Sequence, residues 1–281
     1  MCALHCLAPW HTLVLDADGG FRACCWSDRV LGKMERPAAL PELWNSGALQ
    51  RMRADFLAGR WEEYCPSWCY MKETACWSCD KLYRRWPWPA LSSSYAALAW
   101  LQEGRGWLRS RRQALNQVRM FRESREGRIR VESVPVEVIV LPGERCNLAC
   151  VFCCNTCGQT RPRDTAGEID PGVWSLLEEA GDRLCGISLV GGEPFAHPEV
   201  HRLLERCRTG KSLLRVGFTS NGTFSREVLA GVRLYNCAIS VSAGDRENYR
   251  RIHGADCWDL VWDNVRWLRS RMAERENRGK E

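Results

Sequence analysis

The sequence predicts an α/β chain in which about four βα units form a parallel sheet of partial (β/α) barrel type, preceded by a small Cys-rich α+β segment. Three observations carry this reading. From residue 136 onward, short apolar runs of strand type alternate with amphipathic helical runs. The cysteines are concentrated: of 17, eight precede residue 80 and five lie between 146 and 157. Between those groups lies a basic stretch, residues 101–130, with nine Arg and three Glu; its excess of six equals the net charge of the whole chain, +6.

Composition narrows the class. With 45% hydrophobic and 26% charged residues over 281 positions, the chain has the make-up of a folded domain and not of a disordered one. No apolar run approaches the roughly 18 residues of a membrane span. The first residues, Met1-Cys2-Ala3-Leu4-His5-Cys6, show no basic segment followed by an apolar core, so no secretory signal is expected. An odd number of cysteines cannot all pair internally. The expected compartment is therefore the reducing cytoplasm, where clustered thiols bind metal or do redox chemistry.

The elements fall into three regions. Residues 1–80 begin with a strand, Thr12–Asp16, an Asp18-Gly19-Gly20 turn and a return strand over Phe21–Cys25. A helix over Pro41–Leu57 follows, with Leu43, Trp44, Leu49, Met52 and Phe56 at helical spacing, and then a Cys-rich loop. Residues 81–135 form a connector: Trp86-Pro87-Trp88-Pro89 stops regular structure, and a basic helix is expected from Tyr95 to Glu123. Residues 136–281 carry strands at 136–141, 187–190, 213–219 and 238–242. Helices are expected after Asp170-Pro171, after Pro198, around Val228-Leu229, and along Trp258, Val261, Trp262, Val265 and Leu268. The tail after Arg269 is charged and is expected to fray.

Directly after the first of these strands, Cys146, Cys150 and Cys153 spell CxxxCxxC. Three closely spaced thiolates can hold three irons of a [4Fe–4S] cubane and leave the fourth open to a small molecule. A structural zinc site normally takes four protein ligands, so the competing reading is a zinc knuckle completed by Cys154 or Cys157. The motif resembles the signature of the radical S-adenosylmethionine (SAM) superfamily, with Phe152 inside it. Further segments match that family. Gly191-Gly192-Glu193-Pro194 follows the second strand, Ser220-Asn221-Gly222 the third, and Ser240 and Ser242 end the fourth. Arg251-Ile252-His253-Gly254 stands where many members have Ile-Arg-Gly, with Arg251 as the SAM contact and His253 as its alternate. All lie at the C-terminal ends of successive strands, the face on which barrel-type folds build their sites. The resemblance implies that the open iron binds SAM, that GGEP meets its amino group, and that reductive cleavage yields a 5′-deoxyadenosyl radical. It also implies a longer barrel than the four units counted, so the core is expected to be truncated or completed by a partner.

The N-terminal cysteines add a second resemblance. Cys6 is followed after twelve residues by Gly19 and after four more by Cys24, with Cys65 and Cys69 beyond. This is similar to the SPASM/twitch module that binds auxiliary Fe–S clusters. It implies one auxiliary cluster on Cys6, Cys24, Cys65 and Cys69, with Cys25 an alternate to Cys24; Cys2, Cys76 and Cys79 could serve a second. A zinc ribbon is the competing reading.

The implied enzyme acts on a peptide, a protein or another substrate. Its basic connector suits an acidic electron donor such as flavodoxin or ferredoxin. No membrane partner is expected, and nucleic acid is not, because no aromatic-rich recognition motif accompanies the arginines. The alternative is a non-catalytic Fe–S electron-transfer or binding protein derived from such an enzyme.

Overall fold

The computed structural model describes residues 6–22, 24–25, 27, 29–34, 39–66, 69, 111–153, 169–209 and 214–278. The expected Trp-Pro connector, Cys2, Cys76, Cys79, Cys154 and Cys157 lie outside these. The fold is mixed α/β with a parallel sheet, as expected. It divides into two compact units: Met1–Leu15, Gly19–Ile139 and Pro171–Cys185 form one, and Asp16–Asp18, Val140–Asp170 and Gly186–Glu281 the other. These units do not follow the sequence boundaries, because the segment Pro171–Cys185 groups with the N-terminal part.

In the first unit, a short helix α1 (Ala8–His11), absent from the sequence reading, leads into β1 (Thr12–Asp16). β1 pairs antiparallel with β2 (Gly20–Arg22), and β2 with the two-residue β3 (Gly32–Lys33). The return strand is shorter than expected and ends at Arg22. The expected single helix is two, α2 (Leu40–Trp44) and α3 (Gly47–Leu57). Asn45 causes the break: its side chain donates to Val131 O (2.9 Å) and accepts from Val131 N (2.8 Å), so it hooks a neighbouring segment in the manner of a strand partner. α4 (Arg111–Arg125) is the described part of the basic helix, and α5 (Pro171–Ala180) buries Val173, Leu176, Leu177 and Ala180. Arg53 ties the unit together. Fully buried, it donates to Pro9 O, Trp44 O and Ile129 O at 2.9–3.0 Å and stacks 4.6 Å over the Trp44 ring. Burial lowers its pKa to about 10, which Glu123 partly offsets.

The second unit holds the site. β4 (Glu137–Leu141) changes unit after Ile139, and its end leads into the cysteine loop. β5 (Gly186–Leu189) pairs parallel with β6 (Val216–Ser220), and β6 with β7 (Leu234–Ile239). β5 is buried along its length, as a strand covered on both faces should be. α6 (Pro198–Thr209) turns Val200, Leu203, Leu204 and Cys207 inward, as its spacing predicts. α7 (Arg226–Leu229) is short. β7 starts at Leu234 and stops at Ile239, so the fourth strand lies earlier than the expected 238–242, and Ser240 and Ser242 belong to the loop beyond it. α8 (Arg246–His253) was not anticipated as a helix. Its ends are well marked: Asp245 accepts from Asn248 N at 2.8 Å, and Gly254 closes the helix at φ +71°. α9 (Trp258–Arg278) continues well past Arg269, where fraying was expected. Among the described residues, no helix is long and apolar enough to cross a membrane.

Candidate functional site

The site is built where the loops after β4, β5, β6 and β7 meet. Gly192 N donates to Gly143 O (3.0 Å) and Glu193 N to Arg145 O (2.7 Å), which lays the GGEP segment against the approach to Cys146. The two glycines make this possible. A Cβ on Gly191 would lie 2.8 Å from Gly143 O, and one on Gly192 would run into the carbonyls of Glu144 and Arg145. Their first role is thus close backbone contact within the protein.

Glu193 is 2% exposed. Its carboxylate accepts from Ser220 Oγ (2.9 and 3.1 Å), Asn221 N (2.8 Å) and Phe195 N (3.3 Å). Burial raises its pKa, and these donors pull the other way. The carboxylate read as a partner for an ammonium group therefore also clamps the loop after β6. The ring of Phe195 packs at 4.9 Å from Phe218 and 5.0 Å from Phe224, an aromatic floor under the clamp.

The Ser220–Thr223 turn is fixed from several sides. Gly222 sits at φ +84°, and a Cβ there would meet Ile239 Cγ2 at 2.9 Å. Asn264 of α9, fully buried, donates to Gly222 O (2.8 Å) and Phe224 O (2.9 Å) and accepts from Arg226 Nε (2.9 Å). Asn221 reaches the cysteine loop: its Nδ2 donates to Asn147 Oδ1 (2.9 Å) and approaches Cys146 Sγ at 3.8 Å. Ser240 N donates to Ser220 O at 2.9 Å and so brings in the loop after β7. Ser242 in that loop takes a left-handed φ of +52°, unusual for a residue with a side chain.

α8 holds the other side of the cysteine loop. The last carbonyls of a helix lack partners within it. Here Ile252 O accepts from Val151 N (2.9 Å) and His253 O from Ala149 N (3.4 Å), so the loop caps the helix. The His253 ring is 1% exposed and stacks on Tyr249 with centroids 4.3 Å apart. Its Nε2 lies 2.7 Å from Val241 O, and a carbonyl only accepts, so Nε2 carries the proton. In the neutral ring Nδ1 then faces Cys150 Sγ as an acceptor at 3.0 Å. Of Arg251 and His253, it is His253 whose side chain meets the cysteine loop. Arg251 is exposed and donates to Asn248 Oδ1 at 2.7 Å. Phe152, 60% exposed, stands 6.2 Å from the His253 ring.

The three thiols are close enough to affect one another. Burial raises Cys150 to about 11, and the charges of Cys146 and Cys153 add to this. Burial also raises Cys146; hydrogen bonds from Leu148 N and the Asn221 amide oppose it. Yet among the described residues no three His, Cys, Asp or Glu side chains converge as they would on a single ion. A lone zinc gathers its sulfurs at about 2.3 Å from one centre. A cubane takes three thiolates and leaves one iron open, and three partly exposed thiols on one loop are that donor set.

In the first unit Cys6, Cys24, Cys65 and Cys69 are partly exposed, and no described cysteine is in a disulfide. Ala8 N donates to Cys6 Sγ at 3.4 Å. The Cys25 thiol is pushed up by its hydrogen bond to Cys24 and by burial. The turn carrying Cys65 is braced: Tyr64 OH donates to Asp55 Oδ2 (2.6 Å), and Arg29 stacks on Tyr64 (4.7 Å) while donating to Glu63 (2.8 Å).

Comparison with known proteins agrees with both halves. Residues 140–275 match the model of the radical SAM superfamily, and residues 6–80 that of the SPASM iron–sulfur cluster-binding domain. Over residues 140–275 this chain belongs to the radical SAM superfamily. Membership brings a [4Fe–4S] cluster and SAM for the first match, and an auxiliary iron–sulfur cluster for the second. Among curated proteins, the molybdenum cofactor biosynthesis protein moc-5 of Caenorhabditis elegans is 25% identical over 130 residues, covering 45% of this chain and 22% of that protein. Molybdenum cofactor biosynthesis protein 1 of Dictyostelium discoideum is 31% identical over 131 residues, 43% of this chain and 20% of that one. GTP 3′,8-cyclase 2 of Pseudomonas aeruginosa is 28% identical over 142 residues, 47% and 41%. This chain thus spans less than half the length of these relatives. Among solved structures, Streptococcus suis SuiB bound to precursor peptide SuiA gives a TM-score of 0.39 at 20% identity, covering 57% of this chain and 36% of that one.

Proposed function

We propose that this chain is an enzyme that reductively cleaves SAM at a [4Fe–4S] cluster to modify a peptide, protein or small-molecule substrate. Cys146, Cys150 and Cys153 hold the cluster, and Cys6, Cys24, Cys65 and Cys69 the auxiliary one. The observation that carries the reading is the network joining Glu193, Ser220, Asn221 and Cys146. It brings residues of three separately matched family segments into one hydrogen-bonded unit. When bound and reduced, the cluster supplies the electron that splits SAM into methionine and a 5′-deoxyadenosyl radical. The protein's part is positional. Glu193 holds the turn after β6, α8 holds the cysteine loop, and the backbone of Gly191–Pro194, the turn at Ser220–Asn221 and the loop with Ser240 and Ser242 present polar groups beside the cysteines. Phe152 and Arg251 flank this surface.

An acidic electron donor such as flavodoxin or ferredoxin is supported by α4 and the segment after it. There Arg112, Arg119, Arg122, Arg125, Arg128 and Arg130 are exposed; Arg119 pairs with Glu132, and Arg122 and Arg128 with Glu126.

The test is anaerobic purification with iron and sulfide counts, followed by dithionite, SAM and detection of 5′-deoxyadenosine. The expected result is about eight irons per chain, falling to about four with loss of product when Cys146, Cys150 and Cys153 are all changed to Ala. Full cluster loading without 5′-deoxyadenosine would favour the electron-transfer alternative.

A further inference from the structure

We infer that Asn221 is a hydrogen-bond donor to the Cys146 thiolate and thereby raises the reduction potential of the cluster that this cysteine holds. The inference rests on the proposed assignment of Cys146 as a cluster ligand, and gives Asn221 a role distinct from contact with SAM. Asn221 acts through Cys146 and is a positioning residue.

The amide's orientation is decided by its neighbours. Thr223 N, which can only donate, lies 3.0 Å from one end of the Asn221 amide, and Thr223 Oγ1 donates to the same atom at 2.6 Å. That end is therefore the oxygen, and the NH2 points the other way. Its two hydrogens have two acceptors in reach: Asn147 Oδ1 at 2.9 Å and Cys146 Sγ at 3.8 Å, a long but ordinary separation for an N–H···S contact. Asn147 is itself fixed, since its Nδ2 donates to Thr223 Oγ1 at 2.8 Å. Asn221, Asn147 and Thr223 so form a closed ring of hydrogen bonds that aims one N–H at the sulfur. The backbone beneath is held by Glu193 and Asn264, and the ring of side-chain hydrogen bonds fixes the amide upon it.

The electrostatic consequence has a definite sign. Reduction adds negative charge that spreads onto the thiolate sulfurs, and a donor at a sulfur stabilises the reduced form more than the oxidised one. An amide has no proton to lose in the working pH range, so this contribution does not vary with pH. Cys150, by contrast, faces the His253 ring.

The test is an EPR-monitored redox titration of the full-length, cluster-loaded chain. The cluster whose spectrum changes on adding SAM identifies the Cys146 site, and the auxiliary cluster serves as internal reference. Asn221→Ala is expected to keep the wild-type iron count and shift the SAM-responsive midpoint to more negative potential, with the auxiliary midpoint unmoved. Asn221→Gln, which retains an amide N–H, is expected to recover part of the shift. If Asn221→Ala loads poorly, Thr223→Val reports in its place. It removes the hydroxyl that orients the amide and is expected to give a smaller shift of the same sign. An unchanged midpoint in fully loaded Asn221→Ala, or equal shifts of both clusters, would overturn the inference while leaving the cluster assignment standing. A wild-type chain with no SAM-responsive cluster would remove the assignment and the inference with it.

Discussion

Asn264 offers a sharp test of how the site is held, because one side chain carries three hydrogen bonds and its replacement can be matched in size. Asn264→Leu keeps the branched shape and the number of heavy atoms, so no cavity forms and the polar loss leads, with the bulk of the two methyl groups adding to it. Gly222 O and Phe224 O, both on buried residues, lose their donors; Arg226 is exposed and can turn to water. A buried carbonyl left without a partner costs about 1–3 kcal/mol, so two place the expected destabilisation at about 2–6 kcal/mol. For a chain of this size that corresponds to a fall in Tm of roughly 5–15 °C. Thermal and urea unfolding of the metal-free chain, followed by Trp fluorescence and circular dichroism, measures it. SAM affinity of the loaded chain should weaken in parallel, because the turn that Asn264 anchors carries Ser220 and Asn221. A Leu variant within about 0.5 kcal/mol of wild type would refute the reasoning, since the turn would then not depend on α9.

Other outcomes follow from features described above. Gly222→Ala places a side chain at φ +84° against Ile239 and should cost about 1–3 kcal/mol in unfolding free energy; titration with SAM should show weaker binding than in wild type. Arg53→Met strands the carbonyls of Pro9, Trp44 and Ile129 and should destabilise the first unit by about 2–4 kcal/mol, measured by urea unfolding; an unchanged midpoint would sink this account. Burial lowers the pKa of His11 below its ordinary 6.5, an effect partly opposed by Glu137. The unfolded chain therefore binds the proton more readily. The stability this neutral histidine contributes is complete above about pH 6.5 and is lost as pH falls below it. The drop in Tm between pH 7.5 and 5.5 should shrink in His11→Gln.

The sequence made the cysteine motifs, the alternation and most helix faces readable because each depends on spacing along the chain. Leu203, Leu204 and Cys207 on α6, and Val261 and Leu268 on α9, are buried where periodicity places them. What escaped depends on residues distant in sequence. The split between α2 and α3 needs Val131, 86 residues from Asn45. The early end of β7 comes with Val241 O turning to His253. Asn264 reads as an ordinary polar position within an apolar stripe, and only the fold reveals that it faces the turn after β6. α8 is legible in the sequence: Asp245, then Asn248, then Gly254 is a start and stop signal. The positions that the family resemblance marks for SAM are likewise a matter of pattern. That Glu193 points inward to Ser220 and Asn221 is a matter of packing.

The docking of the cysteine loop on α8 also sets an order of events in the life of the polypeptide. Cys150 and His253 are separated by 103 residues. At a synthesis rate of about 5–20 residues per second, the three thiols leave the ribosome roughly 5–20 s before the helix end that will hold Ala149 and Val151. During that interval the loop has no carbonyls of α8 to cap and no histidine against Cys150. Iron–sulfur delivery to a nascent chain would thus meet thiols on an unanchored segment, and a chain stopped short of Asp245 would never acquire the seat. On the proposed assignment of these cysteines, the seat of the cluster loop forms only after synthesis has passed His253.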